Sequence, residues 1–309
     1  FRNYSFNPDL LTDNNTIAIR VFDYGGNGGL SGYADQLYLQ LDEKSIPLDG
    51  RWRYRIGADS LPQRAILTHC NALPSIIYNG MIAPLTDLQI SGIVWYQGES
   101  NLNQANQYEH LMKTLIYNYR ESWQNDSLPF IITQLPNFGT PSYADENMQF
   151  PLLREAQHNA AQLPNTGIAV TYDLGDATDI HPTNKIEVAK RLARVAYNCV
   201  YGYDTLAGGP LVDSIVFELR TARIYFSKNY GKLVYEGDSL SGFLLASENQ
   251  RFFSARAIID SNTITVSHRY IWHPKYVRYA WADNPIANLY NEAGLPAPPF
   301  RSDTLNQTP

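Results

Sequence analysis

Residues 90–101 read Ile90-Ser91-Gly92-Ile93-Val94-Trp95-Tyr96-Gln97-Gly98-Glu99-Ser100-Asn101. The apolar run 90–96 reads as a buried parallel strand, and the polar turn after it delivers a carboxylate. Two more such runs follow, at 129–135 (PFIITQL) and 166–173 (TGIAVTYD). Helical patterns separate them. Residues 108–123 place Leu111, Leu115, Tyr119 and Trp123 at helical spacing, with Asn103 or Asn106 as the expected cap. Residues 151–162 form the next helix. Residues 185–197 form another, with Val188, Leu192, Val195 and Ala196 on one face. Strand, helix, strand, helix, strand, helix defines an α/β class with a parallel sheet. Chemistry in such sheets gathers just past the C-terminal ends of the strands. The 97–101 turn and the 173–181 loop are therefore expected on one edge.

Both flanks read as β structure. Residues 16–24 (TIAIRVFDY) alternate like a half-buried strand, as do 36–41 (QLYLQL) and 51–56. The glycine run 25–29 between them lacks the G-x-G-x-x-G spacing and the following helix of a phosphate cradle, so it reads as a β-loop. After Gly208-Gly209-Pro210, strand patterns recur at 214–217, 223–226, 232–235, 242–245, 255–259, 263–266 and 277–281. Turn residues break them about every ten positions, as in a sandwich. The expected organisation is residues 1–55 as the end of a β-sandwich, 56–207 as the α/β layer, and 208–309 as a β-sandwich-like domain.

Bulk properties narrow the function classes. The net charge of −6 argues against nucleic acid as a partner, since phosphate binding needs clustered Lys and Arg. No apolar run is long enough for a membrane span. Cys70 and Cys199 stand far apart with no Cys/His cluster, which suits two buried thiols rather than a zinc site. No HExxH or other metal-ligand spacing occurs, and no cofactor is implied.

The chemistry falls on two blocks. His181 lies in Asp176-Ala177-Thr178-Asp179-Ile180-His181-Pro182, where an imidazole is a suitable general base. The competing reading makes it a residue at the start of the 185–197 helix, serving as a cap. Glu99 is the candidate acid that would hold the histidine tautomer, and Asp179 competes for that role. Asp173 and Asp176 are weaker candidates for the acid, one of them reading as a cap or loop stabiliser. Gln97 and the backbone around Gly98 could line an oxyanion site, whereas the bland reading has Gln97 and Asn101 bracing the loop. Ser100 sits in a nucleophile-like turn, but position 102 is Leu where G-x-S-x-G requires glycine.

These blocks resemble the sialate O-acetylesterase family of SGNH-type hydrolases, related to acetylxylan esterases. The similar segments are 77–85 (IYNGMIAPL), 92–101 (GIVWYQGESN), 152–157 (LLREAQ), 173–192 (DLGDATDIHPTNKIEVAKRL) and 277–303 (VRYAWADNPIANLYNEAGLPAPPFRSD). Residues 17–32 and 45–57 resemble the end of a galactose-binding-like sandwich that the family inserts into its catalytic domain. The resemblance implies a three-layer SGNH-like parallel sheet. It also implies metal-free deacetylation of an O-acetylated sugar by a serine nucleophile, and an exported protein. His181 carries over as base. Glu99 carries over as the preferred acid, because position 178, where other SGNH enzymes hold an Asp, is Thr. The family's serine lies in a Gly-Gln-Ser-Asn-Met segment upstream of the sandwich, with no counterpart here. The expectation is therefore the C-terminal portion of an esterase, inactive alone and partnered by an N-terminal segment or second chain that carries the nucleophile. The alternatives are a non-catalytic carbohydrate-binding remnant and an acyl hydrolase that uses Ser100.

Overall fold

The computed structural model describes residues 5–19, 37–48, 52–53, 75–144 and 148–304. The chain divides into two compact units, Phe1–Pro84 and Leu85–Pro309.

In the first unit, β1 (Tyr38–Leu41) and β2 (Lys44–Pro47) form an antiparallel hairpin with Leu41 opposite Lys44. The two-residue turn puts Asp42 at φ 45°, and the Gln40 side chain donates to the Asp42 carbonyl at 2.6 Å. The hairpin matches the strand expected at 36–41. The strand expected at 16–24 is not formed over residues 16–19, where Ile17 and Ile19 are exposed. Alternation alone cannot hold a strand without a surface to bury one face. The glycine run, most of the 51–56 strand, His69 and Cys70 lie outside the described residues. Two helical turns, Tyr78–Ile82 and Ala83–Leu85, follow.

The second unit opens with the α/β layer. Its elements are β3 (Ile93–Trp95), a 3-10 turn (Glu99–Gln104), α1 (Ala105–Ser122), β4 (Phe130–Thr133), α2 (Gln149–Ala160), β5 (Thr166–Ala169) and α3 (Lys185–Cys199). The strands pair in parallel in the order β3-β4-β5. Side chains alternate across the sheet. Phe130 meets Tyr119 of α1 edge-on at 6.1 Å on one face. Ile131 and Ala169 pack with Val195 of α3 on the other. Gly167 permits that approach, since a Cβ there would lie 2.4 Å from Val195 Cγ1. The result is helix, sheet, helix: the three layers expected. Buried Arg120 fastens the strand starts by donating to the carbonyls of Leu128 at 3.1 Å and Pro164 at 2.7 Å.

Two local expectations are corrected. Neither Asn103 nor Asn106 caps α1, because the 3-10 turn runs straight into the helix and no side-chain cap is used. β3 is not fully buried either. Among the described residues it pairs only with β4, and Val94 is 55% exposed.

Ten strands complete the unit: β6 (Val212–Glu218), β7 (Thr221–Phe226), β8 (Leu233–Tyr235), β9 (Phe243–Ala246), β10 (Phe253–Ser254), β11 (Arg256–Asp260), β12 (Thr263–Ser267), β13 (Tyr276–Tyr279), β14 (Leu289–Asn291) and β15 (Phe300–Arg301). They form antiparallel sheets ordered β10-β9-β13-β15 and β11-β12-β7-β6, with β14-β8 beside them. The two four-stranded sheets bury a shared core, including Ile224, Phe243, Ile264 and Val277. Turn-punctuated alternation marks seven of these ten strands and misses β10, β14 and β15, which are only two or three residues long. Arg154 of α2, fully buried, fastens it to the α/β layer. Its guanidinium donates to the carbonyls of Leu135, Pro136, Ala282 and Asp283 at 2.7–2.9 Å. Arg301 adds a two-pronged bond to Glu155 at 2.8 and 2.7 Å.

Candidate active site

The 97–101 turn is shaped by α2 pressing on it. Gly98 is buried, and a Cβ there would lie 2.8 Å from Leu153 Cδ2 and 3.2 Å from Gln157 Nε2. Only a glycine lets the turn pass that close. Gln157, also buried, clamps two strand ends together. Its Oε1 accepts from the Leu135 amide at 2.9 Å and its Nε2 donates to the Gln97 carbonyl at 3.2 Å. Tyr108 of α1 donates to the same carbonyl at 2.9 Å. The Gln97 amide then bonds Asn101 Oδ1 at 2.8 Å. In this arrangement the side chains of Gln97 and Asn101 brace the turn.

Glu99 begins the 3-10 turn and is half-buried. Its carboxylate makes no hydrogen bond or ion pair among the described residues. Its charge is felt all the same. Burial pushes the Tyr96 phenol up, and the neighbouring Glu99 charge adds to the shift. Ser100 is exposed on the same turn, and no hydrogen bond joins it to His181 among the described residues.

The second block is built as a series of side-chain turns. Gly175 packs against the backbone of Asn137 so closely that any Cβ would collide with its carbonyl, and its amide donates to Asn137 Oδ1 at 2.6 Å. Asn137 in turn bonds Asn284 at 2.8 Å, and Asn284 donates to the Gly139 carbonyl at 2.7 Å. Asp176 Oδ1 then accepts from the Thr178 amide at 2.7 Å and hydroxyl at 2.8 Å. Those bonds hold the Asp176 carboxyl below its usual range. Asp179 Oδ1 accepts from the His181 amide at 2.8 Å and lies 3.5 Å from His181 Nδ1. The imidazole stands in the open, its side chain 89% exposed.

His181 is not the helix cap. Asn184 holds that position and accepts from the Glu187 amide at 3.4 Å. Asp173 is committed elsewhere, bound by both terminal nitrogens of Arg191 at 2.5 and 2.7 Å.

One contact joins the blocks. Lys185, at the start of α3, sets its ammonium 4.7 Å from the centre of the Tyr96 ring. The turn after β3 and the loop before α3 therefore share the C-terminal edge of the sheet, as strand order predicts. The structure brings Asp179 to His181, while no hydrogen bond or ion pair joins Glu99, on the turn after β3, to His181. Sequence reading missed Arg154, Gln157, Asn137 and Asn284. The available signal was Arg154 and Gln157 themselves, long polar side chains one turn apart inside a helix otherwise lined with Phe150, Leu153 and Ala156. Among the described residues no group of three His, Cys, Asp or Glu side chains gathers to hold a metal. No helix among them is long and apolar enough to cross a membrane.

This layered α/β fold matches that of a solved carbohydrate acetylesterase. A carbohydrate acetylesterase from Xanthomonas citri matches it with a TM-score of 0.71 at 38% identity, over 76% of this chain and 55% of that one. Residues 73–198 match the family described as carbohydrate esterase, sialic acid-specific acetylesterase. The sialate O-acetylesterase of Homo sapiens is 31% identical over 274 residues, spanning 76% of this chain and 50% of the human protein. That of Mus musculus is 30% identical, spanning 73% and 47%. Over the region it shares with these proteins, the chain is similar to the sialate O-acetylesterases, and its residues 73–198 carry the family match. It spans about half the length of the curated relatives it matches.

Proposed function

We propose that the chain is the base-bearing portion of an O-acetylesterase acting on acetylated sugars, sialates among them, with its nucleophilic serine supplied by sequence outside these residues. The observation that carries this reading is the exposed His181 imidazole, with Asp179 at its Nδ1 side, on the edge it shares with the Glu99 turn. The outer edge of β3 supports it too: among the described residues β3 pairs only with β4, and Val94 is 55% exposed.

The reaction needs one residue to take up and return a proton in each of its two steps, acylation and deacylation. His181 Nε2 takes the serine proton as the hydroxyl attacks the acetyl carbonyl. It returns that proton to the sugar oxygen as the ester bond breaks. An acetyl-serine remains. Water, deprotonated by the same imidazole, then releases acetate and restores the serine. A carboxylate at Nδ1 holds the required tautomer and stabilises the imidazolium. The 3.5 Å approach of Asp179 Oδ1 to His181 Nδ1 supports Asp179 for that role, with Glu99 its competitor on the turn after β3. Amides near Gly98 would face the developing oxyanion. The family resemblance further suggests an exported protein, which fractionation of expressing cells would check.

The test is hydrolysis of 4-nitrophenyl acetate. The isolated chain should be inactive, and co-expression with the upstream half of a relative's length should restore turnover. Activity of the isolated chain, with a serine-directed reagent labelling Ser100, would overturn the reading.

A further inference from the structure

The second unit also holds a cleft of about 530 Å³ that no residue of the His181 loop lines. One wall is Tyr143, on the loop that leaves β4. The other walls are the turn after β8 and strands β10 and β11. The backbone of these walls is tied down. The Ser142 amide donates to the Asn284 carbonyl at 2.9 Å, and the Ile286 amide donates to the Ser142 carbonyl at 3.0 Å. Asn288 accepts from the Ser241 amide and donates to the Ser239 carbonyl, both at 2.8 Å. Gly237 and Gly242 take φ of 84° and 94°, which lets the turn reverse tightly at both ends.

The side chains are free where the backbone is not. Arg256 and Asp238 make no ion pair or hydrogen bond among the described residues. The hydroxyls of Tyr143, Tyr235, Ser241 and Ser254 make none either. Tyr143 and Tyr235 are each 43% exposed, so ring faces as well as hydroxyls are available. Leu240 and Ala257 give the floor an apolar patch.

A rigid cleft with aromatic faces, an apolar floor and an unspent donor and acceptor set suits a ligand with both C–H faces and many hydroxyls. That is the chemistry of a pyranose ring, and the volume admits one or two of them. We infer that this cleft is a second saccharide site, separate from the ester-hydrolysing edge. Asp238 would accept from ring hydroxyls, and Arg256 would donate to a hydroxyl or to the carboxylate of an acidic sugar.

The experiment is calorimetric titration of the full chain with lactose and with 3′-sialyllactose. Neither sugar carries an O-acetyl ester, so binding is read independently of catalysis. Saturable binding is expected. Tyr235→Ala should weaken it about tenfold, the loss of one aromatic platform, while Tyr235→Phe retains it. Tyr143→Ala, on a different loop, should weaken it likewise with an unchanged circular dichroism spectrum. His181→Ala should bind as the wild type does. Arg256→Ala reads the source of the sugar: loss confined to sialyllactose marks an acidic ring, and equal loss for both marks a neutral one. No saturable binding of either sugar, or wild-type affinity in Tyr235→Ala and Tyr143→Ala, would overturn the assignment.

Discussion

His181 and its two candidate carboxylates differ in how the chain holds them. Asp179 is fixed to the histidine by a local turn, its Oδ1 on the His181 amide and 3.5 Å from Nδ1. Glu99 makes no hydrogen bond or ion pair among the described residues and is half-buried beside Tyr96. A carboxylate that orients the imidazole acts mainly in the transition state, so its loss should fall on kcat and leave KM nearly unchanged. Asp179→Asn in the complemented esterase is expected to lower kcat by at least tenfold, and Glu99→Gln by less. Steady-state kinetics on the two variants decides the pair, and the reverse order would assign the acid to Glu99. A second residue makes a prediction about pH. Burial holds His158 of α2 below the usual imidazole value of 6.5, with the Glu155 charge opposing the shift more weakly. The unfolded chain thus takes up a proton that the folded chain resists. Stability conferred by the neutral ring is complete above about pH 6.5 and is lost as pH falls toward the depressed folded value. Urea unfolding followed from pH 7.5 to pH 5 should show that loss, and His158→Gln should flatten it.

At the scale of elements, α2 does most to position the site. It presses the 97–101 turn through Leu153, clamps two strand ends through Gln157 and holds the sandwich through Arg154. Gly98→Ala would force α2 or the turn to move. The expected cost is about 1–3 kcal/mol, with activity reduced beyond what stability explains. The urea midpoint and kcat together check it. Arg154→Met strands four carbonyls at once, each otherwise bonded to the guanidinium. The expected loss is about 3 kcal/mol or more, seen as a lower urea midpoint with an unchanged slope. These residues explain what was legible and what was not. The strands and helices of the second unit were readable because period-2 and period-3.6 patterns report burial directly. The placing of both blocks on one edge followed from strand order. Arg154, Gln157, Asn137 and Asn284 act through partners 18 to 147 positions away, and no local pattern encodes such a pairing. The carboxylate beside His181 was left open for the same reason. The strand expected at 16–24 failed over residues 16–19, where alternation had no burial behind it.

For the whole molecule, the proposed function ties the three-stranded parallel sheet of the described residues to a serine supplied from outside them. The candidate base, both candidate acids and the bracing network lie within the second unit, while β3 has a free edge among the described residues. A sheet completed from outside would bring the serine to the same C-terminal edge that already carries His181. The most direct measurement is kcat for 4-nitrophenyl acetate in the complemented enzyme, wild type against His181→Ala, with circular dichroism confirming that both are folded. Removing the residue that moves every proton should lower kcat by about a thousandfold or more with KM little changed. A His181→Ala enzyme that retains turnover within tenfold of wild type would contradict the account.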